Sequence, residues 1–344
     1  CQLVIPLATF LAPAASWHLP TPTAVRSAVS LSVIQNDRDK VAETVITQSA
    51  DEAHTKASKV GLLSDFQRKK FRLTADEVAP VVEVAGKEVN VFGFYTFLVS
   101  VMTALPYYLG LTVIKMMSDN GVLDDPKLNT YDTVGKIWSK SWLAMTLSYP
   151  EIVNKAKADV VDGGCLIVAN HASWLDIPVI CTALDGPFKF IAKGELTKVP
   201  LIGQQLTGGD HVLINRDDRR SQLATFKAGV KYLSTGTPIM AFPEGQRSKS
   251  GRLEPFKGGV FSMAMKAKVP VLPITICNSH AVMPSTAMFP VQAGEQKLRV
   301  VVHDVVPYEE GRTEQELSDM VREVILGALP EDQLPLEVEM DTSS

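Results

Sequence analysis

The chain has 344 residues, with 34 Lys and Arg against 38 Asp and Glu, and a formal net charge of −4 at pH 7. That acidic balance excludes the basic surface a nucleic-acid partner requires. Hydrophobic content of 46% supplies ample apolar surface for a core, and the length accommodates one large domain with extensions or two small ones.

Residues 1–36 hold no acidic residue and one arginine, Arg26. Leu3 to Ala15 is short, apolar and ends in small residues, as a signal-peptide core does, and the Ser/Thr-rich stretch after it resembles a transit peptide. Signal followed by transit sequence is the two-part address used by algae with secondary plastids. Residues 37–90 are mixed in charge and suit a surface helix or a linker. Val91 to Ile114 then runs 24 residues without a charge, interrupted by Pro106 and Gly110. As a helix it is about 36 Å long, enough to cross a hydrocarbon core of about 30 Å. It reads either as a kinked transmembrane helix or as two shorter helices dipping into one leaflet, with Tyr95, Tyr107 and Tyr108 as interfacial aromatics. Trp138, Trp142, Leu143, Met145 and Leu147 form a second stretch suited to a membrane surface.

From Gly164 onward strands and helices alternate. Cys165 to Ala169 is a strand, a helix follows Trp174, and Phe188 to Ala192 is the next strand. A short helix precedes the strand Val212 to Ile214. The helix Arg220 to Leu233 carries Leu223, Phe226, Val230 and Leu233 on one stripe and stops at Gly236. Pro238 to Phe242, Val271 to Ile276 and Leu298 to His303 are strands, with a helix at about Gly258 to Lys268. Thr313 with Glu316 makes a capping box for a last amphipathic helix, and the tail from Pro330 is acidic and reads as disordered. The alternation predicts an α/β fold with a largely parallel central sheet flanked by helices, behind an N-terminal membrane-associated helical segment. The chain divides into a targeting leader (1–36), a helical or linker region (37–90), the membrane-associated segment (91–149), the motif-bearing domain (150–310) and a C-terminal helix with its tail (311–344).

The chemistry concentrates in Asn170-His171-Ala172-Ser173-Trp174-Leu175-Asp176, which begins where a buried strand ends. Strand C-termini are where α/β folds gather reactive groups. His171 can accept a proton near neutral pH, and Asp176 can hold its other ring nitrogen if a loop brings the two together. Downstream lie Val212-Leu213-Ile214-Asn215-Arg216, Phe242-Pro243-Glu244-Gly245-Gln246-Arg247-Ser248 and Val269-Pro270-Val271-Leu272-Pro273-Ile274.

In order and spacing these four blocks resemble the glycerolipid acyltransferases, which acylate glycerol 3-phosphate and lysophosphatidic acid. The resemblance covers roughly residues 150 to 310. Phe188 to Lys193 and Arg220 to Leu223 look most like the plastid-type lysophosphatidate enzymes. Ala172 replaces a frequent Gln of the family, and Gln246 a frequent Thr. The resemblance implies transfer of an acyl group from a thioester of acyl carrier protein or CoA to lysophosphatidic acid, on a membrane and without cofactor or metal. It implies His171 as general base supported by Asp176, with no acyl-enzyme. Arg247, Glu244, Gly245, Arg216 and Lys193 become the contacts for the acceptor's phosphate and glycerol. A glycerol 3-phosphate or other lysophospholipid acyltransferase stays open, as does, at a greater distance, a lipid or thioester hydrolase. The expected location is a plastid envelope, with the endoplasmic reticulum as alternative.

The residues agree with a protein lacking its own nucleophile, since no G-x-S-x-G elbow occurs, and Ser173 suits a turn or helix cap. No H-E-x-x-H or similar cluster marks a metal site, and neither a dinucleotide fingerprint nor a Walker A loop is present. The four cysteines show no zinc spacing; Cys165 and Cys277 read as buried small hydrophobes. His280 and His303 read as structural, while His211, ahead of the Asn215-Arg216 block, has no partner that the sequence names.

Overall fold

The computed structural model describes residues 81–84, 87–125, 127–158, 163–215, 218–295 and 297–336. The leader, most of the 37–90 region, Arg216 and the tail beyond 336 lie outside the described residues. Strands β1 (Val81–Val84) and β2 (Lys87–Asn90) form an antiparallel hairpin where mixed charge had suggested a helix or linker. They lead into helix α1 (Val91–Asp119), which continues unbroken through Pro106, and then α2 (Asn129–Met145).

The main sheet contains β3 (Glu151–Val153), β4 (Leu166–Ala169), β5 (Lys189–Lys193), β6 (Val212–Ile214), β7 (Ile239–Ala241), β8 (Val271–Cys277) and β9 (Arg299–Val302). Their order is β3-β9-β8-β4-β7-β5-β6. The five strands from β8 to β6 run parallel; β9 pairs antiparallel with β8, and β3 follows β9. The expected largely parallel α/β sheet is present. Its central strands are largely apolar because both faces are covered, and every residue of β4 and β8 is buried.

The two-residue period of a strand sends alternate side chains to opposite layers. Ile167, Ala169, Met240, Leu272 and Ile274 pack against α3 (Asp176–Ala183), Trp142 and Leu143 of α2, and Val99 of α1. A short α4 (Ile202–Gly208) precedes β6. Leu166, Val168, Ile239 and Ala241 pack on the other side against α5 (Arg219–Ser234), α6 (Gly259–Ala267) and, beyond the one-turn α7 (Ser279–Val282), α8 (Glu314–Leu326). The Thr313–Glu316 capping box starts α8 as its sequence requires, and Gly236, at φ +80°, follows the end of α5.

Three expectations are corrected. Leu223 is 55% exposed, whereas Phe226, Val230 and Leu233 of the expected stripe pack on the core beside the buried Thr225 and Gly229. A Cβ on Gly229 would lie 2.6 Å from Met263 Sδ, so the α5–α6 approach selects a small residue there. Trp142 and Leu143 belong to the core rather than to a lipid-facing surface. The start of the acidic tail is packed: Gln333 is wholly buried, its Oε1 accepting from the Asn278 N–H at 2.9 Å.

Helix α1 is fastened along its length. Asn90 caps it by accepting from Gly93 N–H and donates to Val291 O. Thr96 donates to Pro290 O at 2.8 Å, Trp142 to Ser100 at 2.8 Å, Tyr107 to Gln205 at 2.9 Å, and Gln204 to Thr112 at 3.3 Å. The rings of Tyr107, Trp138 and Trp142 stack in series at centroid spacings of 4.9 and 5.7 Å. The opposite face of α1 is an exposed stripe of Phe94, Leu98, Met102, Leu105, Leu109, Val113 and Met116, three or four residues apart.

Candidate active site

Because β4, β7, β5 and β6 are parallel, the residues following them emerge at one edge of the sheet. His171 follows β4, Glu244 follows β7, Lys193 ends β5, and Asn215 follows β6. Asn170 fixes the edge at β4: its side chain donates to Ile276 O and accepts from Ile276 N–H, both at 2.8 Å. A carboxamide imitates a backbone amide, so Asn170 prolongs the β4–β8 ladder by one step and sets where His171 begins.

His171 Nδ1 lies 2.8 Å from Asp176 Oδ2. The same oxygen accepts from the backbone N–H groups of Ala172 and Ser173, each at 2.8 Å. The intervening turn thus closes the five-residue spacing that a regular helix face would leave apart. Asp176 is fully buried and the His171 side chain is 13% exposed, so the imidazole alone of the pair reaches the surface. With Nδ1–H directed at the carboxylate, Nε2 keeps its lone pair. The ring lies nearly flat on Phe242, centroids 4.0 Å apart, which fixes its plane. Ser173 accepts from Leu175 N–H and donates to Met283 O, the turn role its type suggested.

Arg247 is half-buried. Its guanidinium stands 4.3 Å from the centre of the Trp174 ring and donates to Ser285 O at 3.1 Å. Burial draws its pKa below the ordinary value, and Asp176 acts in the opposite direction. Two contacts on one side leave the remaining guanidinium donors for an anion. Gly245 turns the loop with φ +75°, and a Cβ there would meet Lys257 Nζ at 3.0 Å, so glycine answers both needs.

The other expected phosphate contacts are placed differently. Glu244 is 3% exposed, and its two oxygens accept from His171 N–H at 2.5 Å and Glu254 N–H at 2.9 Å. It is a buried brace and not an open contact. Lys193 is exposed at the end of β5 and pairs with Glu195 at 2.7 Å. Arg216 lies outside the described residues. His211, earlier without a partner, is buried; its Nδ1 accepts from Phe190 N–H at 3.0 Å and its Nε2 faces Asp132 Oδ1 at 3.6 Å. Trp174, Phe242 and Asn170 were missed as site residues. Their only signal was membership of the motif blocks, which does not say where a side chain points.

Residues 148–277, which include His171, Asp176, Glu244 and Arg247, match the acyltransferase family model. Its relatives include a 1-acyl-sn-glycerol-3-phosphate acyltransferase of Chlamydomonas reinhardtii, 36% identical over 55% of this chain and 55% of that one. A chloroplastic protein of the same name from Brassica napus is 35% identical over 48% of each chain. A third, chloroplastic and from Arabidopsis thaliana, is 37% identical over 41% of this chain and 39% of its own. The chain spans about half the length of the curated relatives it matches. In fold it is similar to the crystal structure of the 1-acyl-sn-glycerophosphate acyltransferase PlsC of Thermotoga maritima. That likeness has a TM-score of 0.53 at 24% identity and covers 68% of this chain and 92% of the other.

Proposed function

We propose that this chain acylates the sn-2 hydroxyl of 1-acylglycerol 3-phosphate from an acyl thioester, giving phosphatidic acid. The observation that carries the reading is the His171–Asp176 contact of 2.8 Å, with the carboxylate buried and pinned by two further N–H donors. The acceptor hydroxyl gives its proton to His171 Nε2 as its oxygen attacks the thioester carbonyl. Asp176 stabilises the imidazolium that forms. Collapse of the tetrahedral intermediate breaks the C–S bond, and the departing thiolate takes the proton back from His171. No protein atom is acylated. Arg247 and the turn at Gly245 supply the acceptor's phosphate with a guanidinium and close backbone approach. The names of the plant, algal and bacterial relatives support this choice of acceptor.

Membrane association follows from α1. Its stripe of exposed apolar residues is too long and continuous for a surface left in water. The hydrogen bonds of the helix to Pro290, Trp142 and Gln204 support a position along one leaflet, with that stripe in lipid, rather than a span across the bilayer. Val199, Ile202 and Met288 extend the exposed apolar surface onto the domain itself. The chloroplastic relatives support a plastid envelope as the membrane.

The deciding experiment supplies the detergent-solubilised protein with labelled lysophosphatidate and, in separate reactions, acyl carrier protein and CoA thioesters. Labelled phosphatidic acid is expected, with the carrier-protein thioester preferred. Free fatty acid as sole product would mean hydrolysis, and acylation of glycerol 3-phosphate alone would move the chain to another branch.

A further inference from the structure

His171 is held through its backbone as well as its ring. Its N–H donates to Glu244 Oε1 at 2.5 Å, and its carbonyl accepts from Ser248 N–H at 2.8 Å. Both partners belong to the span Glu244–Ser248, and the groups assigned to the acceptor's phosphate, Gly245 and Arg247, lie between them. The other oxygen of Glu244 accepts from Glu254 N–H, tying the span to the next loop. We propose that Glu244 is a positioning residue, which holds His171 in register with the phosphate-binding loop and itself touches neither phosphate nor glycerol. The kinetic form of this proposal rests on the acyl-transfer reading; its structural form does not.

Two N–H donors converge on Glu244 from different stretches of chain, and an ionised carboxylate accepts from both most strongly. Protonation weakens the oxygen that takes the proton as an acceptor, and a carboxamide turns it into a donor that faces a donor. Burial pushes the Glu244 carboxyl up to about 8; the N–H bonds from Glu254 and His171 pull it down, and the charges of Asp176 and Glu254 raise it. The remaining charged groups at the span are Arg247 within it, Lys257, next to Gly245, and His171 itself. The grip on His171 is therefore complete above about pH 8 and loosens as pH falls through that value.

The test uses the full chain in detergent with Glu244→Gln, and Glu244→Asp, which keeps the charge and the reach for one bond, should the carboxamide variant not fold. Circular dichroism checks folding. A misplaced base is expected to lower kcat by about 10²-fold while KM for lysophosphatidate stays within about twofold. The rise of kcat through about pH 8 should vanish in Glu244→Gln. A second readout needs no substrate: diethyl pyrocarbonate should label His171, located by mass spectrometry, several-fold faster in the variants than in wild type. A raised acceptor KM at unchanged kcat, or labelling of His171 at the wild-type rate, overturns the proposal. If the wild-type chain acylates no lysophosphatidate, the acyl-transfer reading falls, and the labelling still decides the place of Glu244.

Discussion

Lys189 Nζ donates to Asp132 Oδ2 at 2.8 Å, with the two side chains 1% and 4% exposed. A basic residue of the stretch Phe188 to Lys193 is the buried tie between β5 and α2. Removing one partner strands a charge in the core, so Lys189→Met should cost about 3–5 kcal/mol. Adding Asp132→Leu should restore most of that stability, since an apolar pair avoids the desolvation of both ions. Denaturant titration of single and double variants checks this; additive losses would show that the two do not act as a pair.

Next to that pair, burial pushes the His211 imidazole down to about 3, with Lys189 adding to the effect. The unfolded chain takes up this proton near pH 6.5, whereas the folded chain resists until about 3. Stability should therefore fall as pH drops from 6.5 toward 3, by about 1.4 kcal/mol per unit from this group. His211→Asn can accept from Phe190 N–H without titrating, and thermal melts against pH should show a flatter acid limb.

At the reacting centre, His171→Ala should lower kcat by about 10²- to 10⁴-fold. In Asp176→Asn a carbonyl oxygen can take the place of Oδ2 and its three donors, but the imidazolium loses its charged support. The loss should reach about 10⁴-fold in kcat. The new amide would also replace Oδ1, a buried atom without a hydrogen-bond partner among the described residues, at a stability cost of about 1–3 kcal/mol. Single-turnover rates and melts read the two effects separately.

Arg247→Ala should raise KM for lysophosphatidate tenfold or more, matching the loss of about 1.5–3 kcal/mol for a charged hydrogen bond, with a smaller change in kcat. Arg247→Lys should recover little, because an ammonium cannot lie flat on Trp174 and fork toward phosphate together. KM for the acyl donor is the control. A donor-side effect alone would place Arg247 on the other substrate.

For the membrane, Met102→Lys with Leu105→Lys puts two charges on the most exposed part of α1, at 74% and 64% exposure, without touching its packed face. Flotation with phospholipid vesicles should show weakened binding while the far-ultraviolet spectrum stays native. Unchanged flotation would remove α1 as the lipid contact.

Much of this fold is written in local patterns. The buried runs of β4 and β8, the stop at Gly236 and the Thr313–Glu316 box each rest on a few neighbouring residues, and each is where its residues put it. The His171–Asp176 pair was legible for the same reason. What the sequence could not convey depends on orientation. Nothing in the order of residues tells that Glu244 points inward to two amides, that Trp174 rises under Arg247, or that Lys189 turns to α2. The α5 stripe holds at Phe226, Val230 and Leu233 and fails at Leu223, where the close approach of α6 at Gly229 is a tertiary preference that no hydrophobic period contains.

Ser285 receives Arg247, and a few residues on, Phe289 packs on Phe97 at 5.3 Å while Pro290 and Val291 receive Thr96 and Asn90. One short loop thus joins Arg247, proposed to hold the acceptor's phosphate, to the start of α1, proposed to lie in lipid. On the proposed function, a site moored in this way would meet its acceptor by lateral diffusion. Its turnover would then scale with the mole fraction of lysolipid in the surface rather than with bulk concentration, so diluting the bilayer with inert lipid would slow the reaction even when the total amount of substrate is unchanged. A two-chained product, more firmly held than its precursor, would stay in the leaflet where it formed.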